Sequence, residues 1–140
     1  MFSAAFRATI SGAITDLLNT TGAGATVGLF QNDVTPSPTI KKTDLVEANF
    51  GGYAALTTIT GWLTLHDPGT DDEVSVPPTA QLFAADNTIV APQTIFGYFV
   101  ELGDASFVSA VRFAVPVTVS ADGDFVLANA QCRLINIAGI

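Results

Sequence analysis

At 140 residues the chain has the length of one domain, able to bury roughly 70% of the surface its unfolded form exposes. Only 13% of its residues are charged and 49% are hydrophobic, where an ordinary soluble domain carries about 25% charged, so part of its surface must be apolar and available for packing. Thirteen acidic against five basic residues give a net charge of −8, which opposes the counterion release behind most nucleic-acid binding, and the single Cys132 rules out an internal disulfide.

A mean hydropathy of +0.45 raises the question of a membrane span. The longest uncharged run, Ala48 to His66, is broken by Asn49, three glycines and four threonines, so no transmembrane helix is expected. Between Met1 and Asn19 there is one early basic residue, Arg7, and Asp16 interrupts the apolar region that a signal peptide would need, so secretion is not expected either.

Taken in chain order, residues 2–18 predict an amphipathic helix. Phe2, Phe6, Ile10, Ile14 and Leu17/Leu18 fall on one face at steps of three and four, opposite Ser3, Arg7, Ser11 and Thr15. Gly22-Ala23-Gly24 supplies the stop. Such a helix needs a covering surface, either its own sheet or a neighbouring subunit. Residues 1–24 therefore read as a helical unit and 25–140 as a β domain.

Ala25–Gln31 predicts a strand closed by Asn32-Asp33 and by Pro36 and Pro38. Residues 34–49 read as irregular and solvated by Lys41, Lys42, Asp44 and Glu47, with Leu45-Val46 as a candidate helical turn that drops back on the body. Tyr53–Thr60 and Trp62–His66 are β-prone runs joined at Gly61, which suggests a bulge or bend. Residues 67–73 read as an exposed acidic loop. Gln81–Ala85, Thr94–Leu102, Phe107–Val119, Asp124–Leu127 and Gln131–Ile137 complete the strands, with Gly103-Asp104 and Asp122-Gly123 as hairpin breaks.

Within these strands, Val111, Phe113, Val115, Val117 and Val119 alternate with more polar neighbours and predict one buried face, with Pro116 at an edge or bulge. Thr94–Leu102 is apolar on both faces, so the helix or a second subunit is expected to cover one of them. The fold class is all-β: an antiparallel β-sandwich or jelly-roll-like barrel of seven to nine strands with one N-terminal amphipathic helix.

Catalytic chemistry finds little material. His66 is the only histidine and no Gly-x-Ser-x-Gly is present, so no nucleophile, base and orienting group can be assembled, and an enzyme is not expected. One Cys and one His cannot build a usual zinc site. Asp67, Asp71, Asp72 and Glu73 lack the ligand spacing of a calcium loop, and Gly22-Ala23-Gly24 lacks the rest of a P-loop. No metal and no cofactor are expected. Trp62 and Tyr98 are candidate glycan contacts, although a Trp beside a strand glycine more often fills a core.

Several segments resemble a family of small structural proteins of tailed and related bacteriophages. The likeness lies in Leu29-Phe30-Gln31-Asn32-Asp33, Thr35-Pro36-Ser37-Pro38-Thr39, Asp44 to Phe50, Gly52-Tyr53-Ala54, Trp62, Phe96 to Val100, and Arg112-Phe113 with Pro116. It covers about two-thirds of the chain and leaves out the helix. The resemblance implies a virion component made in the host cytoplasm, a capsid decoration or cement protein or a head-tail appendage, whose partners are copies of itself, with a trimer the first expectation, and a major capsid protein. A receptor- or glycan-binding module of a tail or head appendage is the alternative. The candidate interface residues are Phe2, Phe6, Ile10, Phe96 and Tyr98.

Overall fold

The computed structural model describes residues 3–134. Among these residues one α-helix, α1 (Ala4–Thr20), precedes nine strands: β1 (Ala25–Phe30), β2 (Leu56–Ile59), β3 (Leu63–Asp67), β4 (Asp72–Val76), β5 (Gln81–Ala84), β6 (Gln93–Glu101), β7 (Phe107–Val119), β8 (Phe125–Ala128) and β9 (Cys132–Leu134), with one 3-10 turn, Lys42–Asp44, between β1 and β2. They form three sheets with orders β2-β1-β6-β7, β3-β4-β9 and β5-β8. Every pairing is antiparallel. The chain is thus mostly β with one N-terminal helix; the expected strand at 131–137 is present as β9, and its last three residues lie outside the described part.

Two local expectations change. Gly61, at φ +81°, does not bend one strand. It is where the chain leaves the four-stranded sheet after β2 and enters the three-stranded one at β3. The 67–73 segment is shorter as a loop than its acidity suggested, because Asp72 and Glu73 already pair with Asp67 and His66 as part of β4.

Most of the core is one cluster that includes Val27 and Leu29 of β1, Ile95, Tyr98 and Val100 of β6, Trp62, Phe83, Val126 and Cys132. A smaller cluster lies on the other face of the large sheet, where Phe30, Phe99 and Leu45 are buried together with Val34, Ile40, Phe96 and Phe107 beside them. Two cross-strand pairs build it. Gly28 faces Phe99 and Phe30 faces Gly97, and the tip of each ring occupies the space over the opposite glycine, so a Cβ at either position would collide with it, at Gly97 with the Val111 carbonyl as well.

The cover over this second face comes from neither the helix nor a second subunit. It is the irregular segment after β1, which returns to the body through a 3-10 turn at Lys42–Asp44 and buries Leu45, as the Leu45-Val46 pair suggested. Gln31 N–H donates to Val46 O at 2.8 Å and Ala48 N–H to Leu29 O at 2.9 Å, so the segment returns alongside the strand it left. The Asn32 side chain clamps its two ends, accepting from Val46 N–H at 2.8 Å and donating to Asp44 O at 2.9 Å. Lys42 Nζ sits 3.2 Å from the Phe99 ring centre and 2.8 Å from Glu101 Oε1, giving the strap a charged latch over an aromatic face. Arg112 of β7 holds the other end through Asp33 and the Val34 carbonyl.

The alternation expected along β7 is interrupted. Ile95 pairs with Val117 but Gly97 with Arg112, so Phe113–Pro116 bulges opposite Phe96 alone. Pro116 sits in that bulge and on the sheet's edge strand, as its missing N–H requires. Phe113, Val117 and Val119 pack against the main core, while Val115, within the bulge, is 76% exposed and Val111, paired with Tyr98 outside it, is 38% exposed.

Candidate interaction surface

Helix α1 packs on β3 and β4, and it does so with its polar side. Ser3 caps it, accepting from Phe6 N–H at 3.2 Å. Arg7, Ser11, Thr15 and Leu18 are the buried stripe. Thr15 Oγ1 lies 2.7 Å from both Thr64 Oγ1 of β3 and Ser75 Oγ of β4. The Asn19 amide pairs with both backbone groups of Trp62, donating to its carbonyl at 3.0 Å and accepting from its N–H at 2.8 Å. Arg7 reaches the Asp71 carboxylate at 3.0 Å.

The consequence is an inverted helix. Of the two covers left open for the apolar face, its own sheet takes only part: Ile14 and Leu18 turn inward, whereas Phe6 (47%), Ile10 (38%) and Leu17 (50%) are exposed. The physical reason is the surface beneath. β3 and β4 present Thr64 and Ser75 to the helix, and buried hydroxyls demand hydrogen-bonding partners that an apolar stripe does not supply.

The other candidate residues are not brought to this face. Phe2 lies outside the described residues. Phe96 is half-buried in the second cluster with the Arg112 guanidinium 5.1 Å from its ring centre. Tyr98 is a core residue whose hydroxyl accepts from Gln131 N–H at 2.9 Å, and burial pushes its pKa up to about 12. Trp62 is 1% exposed with its indole N–H bonded to the Ile59 carbonyl. Neither the Trp62 nor the Tyr98 ring offers a face to a sugar, because each is enclosed by the core; the glycan-contact expectation is withdrawn, as is Tyr98 as an interface residue.

The acidic segment is an ion-pair network. His66 Nδ1 meets Glu73 Oε1 at 2.9 Å, and its Nε2 lies 3.5 Å from Asp71 Oδ1. Arg133 Nη1 reaches Asp72 at 2.7 Å, Asp67 at 3.1 Å and the Thr70 hydroxyl at 3.1 Å. The Arg133 guanidinium is the main reason the Asp67 pKa lies below the usual carboxylate range. Among the described residues no group of three or more His, Cys, Asp or Glu is gathered as a metal site. Depressions of about 440 and 450 Å³, one beside Pro77-Pro78 and the other between Phe50 and Pro92, have no charged or histidine side chain in their walls.

A second apolar patch escaped sequence reasoning. In the β5-β8 ribbon, Leu82 faces Leu127 and Ala84 faces Phe125; Leu82 (54%), Leu127 (50%) and Phe125 (58%) are exposed, while Phe83 and Val126 point into the core. The available signal was the consecutive apolar pairs Leu82-Phe83 and Val126-Leu127, which put hydrophobic groups on both faces of a strand.

No protein-family model, curated protein or solved structure matches the chain.

Proposed function

We propose that this chain is a non-enzymatic structural subunit of a virus particle, acting by packing exposed apolar surface against copies of itself and against a shell. The observation that carries the packing role is the inverted helix, which spends its hydrogen-bonding side on its own sheet and turns Phe6, Ile10 and Leu17 outward. The virion setting rests on the resemblance to phage structural proteins. Several of its motifs meet in and beside the strap over the large sheet, while Trp62 and Tyr98 lie in the main core: Phe30 bridges Glu47, the Tyr53 hydroxyl joins Leu29 N–H to Glu47, and Arg112 pairs with Asp33. These residues make architecture, in keeping with a structural role. We read the three sheets around one main core as a β-sandwich. The acidic charge suits a component held away from packaged nucleic acid, and residues 3–134 contain no helix long and apolar enough to cross a membrane.

Cryo-electron microscopy and mass spectrometry of particles from the cells that produce this chain test the reading. The expected result is a fixed stoichiometry of the chain on a regular shell. Recovery of the chain only as free protein, with particles lacking it, overturns the proposal.

A further inference from the structure

We infer that the exposed face of α1 is a dimerisation seam whose occupant is α1 of a second copy, running antiparallel; this rests on the packing role proposed above and specifies its geometry. Phe6, Ile10, Ala13, Leu17 and Thr20 are spaced 4-3-4-3, the spacing of a seam that receives another helix; the wider stripe with which a helix covers a sheet is missing. All five are exposed. The flanking Thr9 and the seam residue Thr20 donate their hydroxyls to their own helix, to Ala5 O at 3.0 Å and Asp16 O at 2.7 Å, which leaves their methyl groups to face outward.

Two arguments select a second copy and its direction. Laid antiparallel about the middle of the helix, Phe6 meets Leu17 of the other copy and Ile10 meets Ala13, so large residues oppose small ones at the centre and large ones close both ends. A parallel pair would stack Ala13 on Ala13 and leave a gap there. The second argument is charge. At a net −8, most approaches of two copies are repulsive, yet the exposed surface of α1 carries one ionisable group, Asp16. The antiparallel arrangement separates the two Asp16 levels by about 13 Å along the axis at ~1.5 Å per residue, beyond the roughly 8–10 Å screening length of physiological salt. It also sets Asp16 beside Thr9 of the other copy. A parallel pair would place the two carboxylates at the same level, one on either side of the seam.

The seam from Phe6 to Thr20 is about 22 Å long, so the contact falls at the small end of specific interfaces, below ~1,200 Å² in total, and a micromolar dimer is expected. Light scattering at tens of micromolar should give twice the 14.5 kDa chain mass, falling to the monomer value on dilution and, for Leu17→Asp, at every concentration. In a Cys132→Ala background, mild oxidation of an equimolar mixture of Ile10→Cys and Ala13→Cys chains should give a mixed disulfide dimer, with little from either variant alone. A monomer at all concentrations, a trimer mass, or crosslinking of Ile10→Cys to itself overturns the antiparallel pair. These outcomes are separable from the function: a chain found on particles whose seam does not crosslink retains its structural role, and a crosslinked pair absent from particles does not.

Discussion

Helix α1 and strand β6 both carry more apolar surface than their own neighbours in sequence can hide, and the protein treats them oppositely. On β6 the second face is closed within the chain: the segment after β1 folds back, Leu45 and Phe30 bury Phe99, and Lys42 seals the edge. On α1 the polar stripe is closed within the chain and the apolar seam is left outside. The difference follows from what lies beneath each element. β6 sits between hydrophobic clusters, whereas α1 rests on Thr64 and Ser75, whose buried hydroxyls are satisfied only by Thr15 and its neighbours. Apolar excess in the middle of this fold is buried within the chain; apolar excess on its rim is left exposed.

The sharpest way to break the contrast is to remove Phe99. Phe99→Ala should cost about 3–5 kcal/mol of unfolding free energy, because the ring fills the space over Gly28 and under Lys42. Urea denaturation measures it, and a loss below 1 kcal/mol, well short of the ~3 kcal/mol floor for such truncations, would mean that the strap collapses into the void.

Next in size is an alkaline transition from the main core. Burial raises the Cys132 thiol to about 11 and the Tyr98 hydroxyl to about 12. For both, the folded pKa lies above the unfolded one, so their contribution is fully present below the ordinary values and is lost as pH rises, from about 9 to 11 for the thiol and about 10 to 12 for the phenol. Each contributes roughly 2–3 kcal/mol at about 1.4 kcal/mol per unit, and together less than the sum because they lie near one another. Melting curves across that range check it, and Cys132→Ser should remove the first part of the loss. Native Cys132 should also resist thiol reagents until the chain unfolds.

Thr15→Ala probes the helix side. Removing the hydroxyl that joins Thr64 and Ser75 should destabilise by about 1–3 kcal/mol through the groups left unsatisfied. Leu17→Asp, one step from Leu18 on the same helix, should change unfolding free energy by less than ~0.5 kcal/mol, because Leu17 is half-exposed. If Leu17→Asp destabilises as much as Thr15→Ala, the outward face is part of the monomer's own fold.

The smallest effect lies at acid pH. Hydrogen bonds within their turns hold the Asp86, Asp104 and Asp124 carboxylates below their ordinary range. Their folded pKa values are depressed, so the stability they contribute is present above pH ~4 and is lost as pH falls through the folded values. A gentle decline in melting temperature below that point is expected. Asp124→Asn should flatten it, since Asp124 alone accepts from both Ser120 and Ala121 N–H.

By itself the sequence determined the local elements. Periodicity placed the helix over 2–18 and most strands, because glycine, proline and Asx turns punctuate the chain where backbone geometry demands it. The extent of the 13-residue β7 was legible, though the bulge that interrupts its alternation was not. Only the tertiary structure decided which way each element faces. Apolar spacing says that a helix has two sides without saying which side meets hydroxyls, and so the buried stripe of α1 is Arg7, Ser11, Thr15 and Leu18. Likewise residues 31–49 became the cover of the large sheet: Leu45-Val46 signalled a turn back onto the body, but the contacts with Phe99, Glu101 and Arg112 lie far along the chain, where no local pattern reaches.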